Sequence, residues 1–180
     1  MSGNQEEVDG KSVDQIAKIA GPIGGLWVAY NDQGISGASF ANLTTFARFR
    51  EEHHDRTGRP SARADAMPDD LFDVIENSFN TGDRSDLAFD LRGATPFQQS
   101  VWEACLAIPA GETQTYADMA RSIRRPNAVR AVGTALGANP IPVLIPCHRV
   151  LRSDGSLGGY AFGLPIKERL LDREAVRAAA

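Results

Sequence analysis

TYADMARSIRRPNAVRAVGTALG, Thr115–Gly137, is the stretch whose reading decides the fold. Thr115 followed three residues later by Asp118 is a capping box, a hydroxyl that accepts from the first turn and an acid that reaches back to the cap. It opens a helix over Tyr116–Ile123. Arg124-Arg125-Pro126-Asn127 interrupts that helix, and Asn127 is placed to cap a second one over Ala128–Leu136, which stops at Gly137. Two short helices joined by a tight turn outline a helix-turn-helix, although on propensity alone many helical pairs look alike. The second helix is built from Ala, Gly, Val and Thr, with Arg130 as its only long polar residue. Small residues let another backbone approach closely, whether a protein's or a nucleic acid's. Read by itself, Arg130 fits a solvated surface cation better than a DNA contact.

Upstream, Thr95-Pro96 opens a helix with Thr at the N-cap and Pro at the first helical position. Phe97, Val101, Trp102, Cys105 and Leu106 fall on one stripe, which makes Cys105 a core residue. Gly93-Ala94 marks a boundary, so that 11–93 forms an N-terminal α+β unit and 94–180 a mostly helical one. In the first half, Val13–Ala20, Leu26–Asn31 and Ile35–Phe40 read as three strands of an antiparallel meander separated by turn signals. Leu43–His54 and Pro68–Phe79 have helical spacing, Thr57–Ala66 reads as a loop, and Leu87–Leu91 as a short strand. Residues 1–10 are polar and acidic, with neither the basic nor the apolar region of a secretory signal, and read as a loose tail.

The chain of 180 residues carries a net charge of −4, unevenly spread. Residues 1–94 hold nine basic and sixteen acidic side chains, and residues 95–180 hold ten and seven. Between Arg121 and Arg152 stand six arginines and one histidine, with no acid. A solvated basic face would explain an ordinary run. A stretch this long without a carboxylate favours a surface that faces phosphates. No apolar run is long enough to cross a membrane, and two cysteines are too few for a disulfide framework, so a reducing cytoplasm is the expected compartment.

That acid-free stretch contains IPVLIPCHRV, Ile141–Val150, which sets Cys147, His148 and Arg149 side by side after an apolar run. Zinc would need about four ligands, and the remaining Cys105, His53 and His54 come from other elements. A buried structural cysteine fits the apolar run but leaves the histidine and arginine without a purpose. A nucleophile accounts for all three: nearby positive charge favours the thiolate, and His148 takes its proton directly or through one water. Neighbouring side chains on a strand point to opposite faces. Either Pro146 ends the strand and the pair sits at a turn, or a water relays the proton. A third group should orient His148 from its far side, with Asp154, Glu168, Asp172 and Glu174 as the downstream acids.

Pro146-Cys147-His148-Arg149-Val150 resembles the active-site motif of the O6-alkylguanine-DNA alkyltransferases, the methylated-DNA–protein-cysteine methyltransferases. TPFQQSVW (95–102), IPAGETQTY (108–116), RAVGTALGANPIPVLIPCHRV (130–150) and SDGSLGGYAFGL (153–164) resemble family segments in family order. The first half is similar only in its pattern of strands and helices. The resemblance implies an α+β fold: a small N-terminal antiparallel sheet with helices, ribonuclease-H-like, followed by a winged helix-turn-helix. It implies direct-reversal repair of double-stranded DNA bearing O6-alkylguanine, with O4-alkylthymine as a further candidate. The alkyl group passes to the protein once and irreversibly, without cofactor or metal, by a monomer whose cooperativity on DNA stays open.

The same resemblance assigns roles. Cys147 is the acceptor, His148 its water-linked base, Glu174 the carboxylate orienting that histidine, and Tyr116 the hydroxyl near the flipped nucleotide. Asn139 is the hinge between the recognition helix and an active-site strand. Arg130 fills the gap left by the flipped base, and Thr115, Arg124, Arg125, Ala128, Ala131, Gly133 and Arg149 complete the DNA-binding set. Tyr160, Phe162, Val150 and Lys167 line the guanine pocket. Phe162 stands where many members have glycine; an aromatic ring there either narrows the pocket or stacks on the base, and bulky O6 substituents are expected to react poorly. The cysteines of an N-terminal zinc site or regulatory module are absent from the first half. Three rivals differ in observable ways. A lesion-binding relative lacks the acceptor cysteine. A helix-turn-helix regulator binds a specific sequence. A cysteine hydrolase turns over and needs an oxyanion hole.

Overall fold

The structure, a computed structural model, describes residues 13–178; the tail expected at 1–10 lies outside the described residues. Three strands, β1 (Asp14–Gly21), β2 (Gly24–Asn31) and β3 (Gly34–Phe40), pair antiparallel as a meander. A fourth, β4 (Ser61–Arg63), adds parallel to β1, giving the order β3-β2-β1-β4. The composition of 57–66 predicts a loop. This strand is three residues long, at the sheet edge and without an apolar face, so no period-2 signal betrays it. The strand expected at 87–91 reduces to one bridge, Phe89 with Ile35.

Strand alternation divides the sheet's two faces. Trp27 and Ala29 join Ile16 on one face, where α1 (Phe46–Thr57) covers them with Phe49 and Phe46. Thr45 caps this helix by accepting from the Arg48 N–H, so it starts three residues later than the apolar spacing suggested. Leu26, Val28, Tyr30 and Phe40 join a second cluster. That cluster continues through Ile75 of α2 (Asp69–Thr81) into Val101, Trp102, Leu144 and Leu170 of the second half. Each such side chain is worth roughly 1.5–3 kcal/mol when fully buried, so the two halves are held by one shared core.

A buried polar network braces the first half. Asp14 accepts from Ser36 Oγ and from His53 Nε2, each at 2.6 Å, and from Arg59 Nε at 3.0 Å. Arg56 Nη2 donates to His53 Nδ1, so the Nε2 side of the ring is the one that faces Asp14. Burial alone would raise the Asp14 carboxyl, but bonds from His53, Arg59, Ser36 and Asn31 hold it well below the usual carboxylate range.

In the second half, α3 (Pro96–Leu106) has Thr95 as N-cap in a capping box with Gln98, and buries Val101, Trp102 and Cys105. Trp102 Nε1 donates to the Ala135 carbonyl at 2.9 Å. The strand pair β5 (Gln114–Thr115) and β6 (Val150–Leu151) brackets α4 (Tyr116–Ser122), with the Thr115–Asp118 box at its start, and α5 (Val129–Gly137). Asn127 does not cap α5. The Ala128 N–H bonds the Arg125 carbonyl, so 125–128 closes as a turn and Ala128 becomes a cap without a side-chain bond. The terminal helix α6 (Leu164–Ala178) returns across the core.

Candidate active site

The apolar run before the Cys-His pair is not a strand. Ile145 N–H bonds back to the Ile141 carbonyl at 2.9 Å, and Val143 adopts φ 74° between them. Cys147–Arg149 then forms a single 3₁₀ turn. Of the two arrangements the sequence allowed, the pair at a turn is the one found, and the active-site strand is not. Asn139, just after α5, holds this turn by three bonds. Its Oδ1 accepts from Ile141 N–H at 2.9 Å, and its Nδ2 donates to the Ile145 carbonyl at 2.9 Å and to Cys147 Sγ at 3.1 Å.

His148 is fully buried, and its Nε2 lies 3.0 Å from Glu174 Oε1. Burial lowers the imidazole below its usual range, against the pull of Glu174, and Arg149 and Arg84 lower it further. Burial pushes the Glu174 carboxyl up, but bonds from His148 and Arg149 outweigh it and hold it at about 2. A neutral ring donating through Nε2 to an ionised carboxylate leaves a lone pair on Nδ1. That atom is buried and has no protein partner. The side chain is thus an oriented base with its free nitrogen available.

The electrostatics of Cys147 run opposite to the sequence expectation. Burial raises the thiol; the Asn139 amide and the charge of Lys167 lower it by less. Arg149, expected at the DNA surface and beside the thiol, is 1% exposed. Its Nε and Nη2 pair with Glu174 at 2.9 and 2.8 Å, and its Nη1 bonds the Ile108 carbonyl. It is an interior counter-ion to Glu174 and presents nothing to a phosphate. Cys105 is fully buried, as read, and burial pushes its thiol well up.

Above Cys147 lies a cavity of ≈180 Å³. Gly133, Leu136 and Gly137 of α5 form one wall, Tyr116 another, and Gly159 to Phe162 a third. Tyr160 lines it with a buried hydroxyl that has no partner. Burial raises the Tyr116 hydroxyl, which takes a backbone bond from Gly159. The φ of Gly158 is 69°, and a Cβ there would lie 3.0 Å from the Tyr116 oxygen, so this loop needs glycine. Phe162 packs edge-on against Tyr160 and against Phe40 of β3, with centroids 5.6 and 5.1 Å apart.

Two residues assigned to the pocket are elsewhere. Val150 is fully buried in the core behind it. Lys167 is fully buried too, and its Nζ donates to the carbonyls of Val150, at 2.6 Å, and Leu157. It ties the pocket loop to β6 and does not line the cavity. Burial lowers its ammonium to about 8. Of the remaining DNA-binding set, Arg124, Arg125, Arg130 and Ala131 are exposed, and Ala128 and Gly133 are half-buried. The Thr115 hydroxyl is engaged by Asp118 in the cap. Sequence reasoning missed Leu136, Gly137 and Ala161 as lining residues. The α5 spacing places Gly133, Leu136 and Gly137 on one face, a signal that was present in the sequence.

A family model described as 6-O-methylguanine DNA methyltransferase, DNA binding domain, matches residues 96–176. The methylated-DNA–protein-cysteine methyltransferase of Salmonella typhimurium is 37% identical over 164 residues, 87% of this chain and 93% of that protein. The regulatory protein Ada of the same organism is 48% identical over 120 residues, 64% of this chain but only 34% of that protein. Among solved structures, the Mycobacterium tuberculosis O6-methylguanine methyltransferase is 34% identical, covers 92% of this chain and 94% of its own, and has a TM-score of 0.72. The OGT of the same organism in complex with DNA is 34% identical with a TM-score of 0.70, over 91% of this chain and 94% of its own. An arranged cysteine and histidine under a helix-turn-helix wall, with identity along nearly the whole length, places this chain in the methylated-DNA–protein-cysteine methyltransferase family.

Proposed function

We propose that Cys147 is the acceptor in a direct-reversal repair reaction on O6-alkylguanine in double-stranded DNA. The observation that carries this reading is that α5 and Cys147 border the same cavity. A helix lying on DNA and the nucleophile therefore face the same nucleotide. An O6-alkyl carbon inside a base stack is out of reach of an in-line sulfur, so the base must leave the duplex. Arg130, exposed in the first turn of α5, enters the gap, and the small residues Ala128 and Ala131 let the helix lie close in the minor groove. Exposed Arg124 and Arg125 meet phosphates, which gives binding largely independent of sequence.

In the transfer, the thiol proton passes to His148 Nδ1, directly or through one water, and Glu174 stabilises the imidazolium that forms. Cys147 sulfur bonds the alkyl carbon as the carbon–O6 bond breaks. The departing guanine is protonated with help from the Tyr116 hydroxyl, so that the proton lost by the thiol ends on the base. The raised thiol suits this scheme: Cys147 rests protonated and ionises only when the base accepts. A thioether is not readily hydrolysed, so each chain acts once. The division near 93–94 belongs to the same proposal, with the family match at 96–176 supporting a DNA-binding second half.

Stoichiometry tests the function. A duplex whose O6-methylguanine blocks a restriction site should become cleavable in proportion to protein added, one site per chain, and then stop. Cleavage that continues past one site per chain would identify a turnover enzyme instead.

A further inference from the structure

We propose that Arg84 is a positioning residue for alkyl transfer, holding the turn that carries Cys147 by its Val143 carbonyl from the segment joining the two halves of the chain. The inference rests on Cys147 being the acceptor. Its basis is a set of contacts that cross from the first half onto 139–147.

The β-branched residue Val143 sits at φ 74°, 2% exposed, in the middle of the turn. A β-branched side chain disfavours that conformation, which persists only where surrounding structure imposes it. Two bonds from the first half do so. The Ala38 N–H of β3 donates to the Pro140 carbonyl at 2.9 Å, and Arg84 Nη2 donates to the Val143 carbonyl at 3.2 Å. Arg84 is itself anchored, with Nη1 on the Gly82 carbonyl at 2.7 Å. Gly82 ends α2 at φ 79°, and a Cβ there would lie 2.4 Å from the Ala110 Cβ, so this segment is pressed onto the loop after α3. The guanidinium fork therefore spans two carbonyls, one in each half. Its Nε is buried without a partner, and it borders a cavity of ≈180 Å³ whose walls include Val143, Arg173 and Glu174.

This placement also sets charge around the base. His148 faces Glu174 from α6, Arg149 from its own turn, and Arg84 from the joining segment. Arg84 in turn faces Arg149, Glu174, Cys105 and Asp83. Taking the Arg84 charge away leaves Glu174 less opposed, which makes His148 more basic.

The experiment is single-turnover methyl transfer from an O6-methylguanine duplex, followed across pH, for the wild-type chain, Arg84→Met and Arg84→Lys. Duplex affinity and thermal melting are measured beside it. For Arg84→Met the maximal rate at saturating duplex should fall roughly 10- to 100-fold, as a misplaced nucleophile does, with affinity within about twofold. The acid limb of its pH profile should move to higher pH. Arg84→Lys keeps the charge but not the fork, so its acid limb should stay in place while its rate remains below wild type. Wild-type chain that takes no methyl on Cys147 would sink this inference together with the reading it rests on. Normal wild-type transfer, matched by Arg84→Met in rate and pH profile, would sink this inference alone. If Arg84→Met does not fold, Arg84→Lys decides. A folded, slowed protein supports the positioning role, and a folded protein with the wild-type rate overturns it.

Discussion

Glu174 Oε1 accepts from His148 Nε2 at 3.0 Å and from Arg149 Nη2 at 2.8 Å, so one carboxylate from the last helix holds two consecutive residues of the active-site turn. Both partners are buried, and the carboxylate side chain is 13% exposed. The acid therefore orients the imidazole and neutralises an interior arginine at once.

Removing its charge should fail in both roles. Glu174→Gln leaves Arg149 buried without a counter-ion, a change that costs about 3–5 kcal/mol in buried pairs. Denaturant unfolding should show that loss, and methyl transfer should slow with it. The pH dependence has a definite sign. The folded carboxyl titrates at about 2 and its ordinary value is 4.5. The stability it contributes is complete above the ordinary value and is lost as pH falls toward the folded one, about 3 kcal/mol at most. Melts of Glu174→Gln across that acid range should be flatter than those of wild type.

Asn139 gives a second prediction. Asn139→Ala removes three bonds at once and leaves Ile141 N–H and the Ile145 carbonyl without those partners. Each buried group left unsatisfied costs about 1–3 kcal/mol. Loss of the donor to Cys147 Sγ should also raise the thiol further. A thiol titration of the folded variant should show ionisation at higher pH than in wild type.

Arg130 separates DNA work from chemistry. Arg130→Ala should slow transfer from a duplex by roughly 10- to 100-fold, the equivalent of the few kcal/mol needed to unstack a base. Reaction with the free base O6-benzylguanine should be unchanged, because Arg130 lies on the exposed surface outside the cavity. Equal slowing of both reactions would place Arg130 in the chemistry instead.

Phe162 lines the cavity and packs edge-on against both Phe40 and Tyr160, so its size bears on the room left for an O6 substituent. Phe162→Gly should react faster with O6-benzylguanine relative to O6-methylguanine. It should also melt lower, since the contacts of a partly buried aromatic ring with Phe40 and Tyr160 are lost. An unchanged ratio of the two rates would show that Phe162 does not select substrate size.

The helix-turn-helix was legible because its signals are local: the Thr115–Asp118 box, Pro126, and small residues at helical spacing. The meander was legible because two-residue turns punctuate short strand-length runs. Other features required the tertiary fold. β4 has no apolar pattern, and its edge position is set by Asp14 to Ile16 beside it. Arg149 reads as a DNA-facing cation and Lys167 as a pocket residue, yet Glu174 and three backbone carbonyls draw them inward. Val143 carries no mark of its φ, since nothing in Ile-Pro-Val-Leu-Ile signals a left-handed residue. The Cys147 thiol departs from the sequence expectation for a related reason. Charge is visible in a sequence, whereas burial is decided by residues far away in it.

Intact-mass measurement of the chain after incubation with a duplex carrying one O6-methylguanine tests the acceptor directly. The account predicts a single methyl increment, mapped to the peptide holding Cys147, saturating at one per chain and absent from Cys147→Ala. Unmodified protein that still binds the duplex tightly, or a methyl group on another residue, would contradict it.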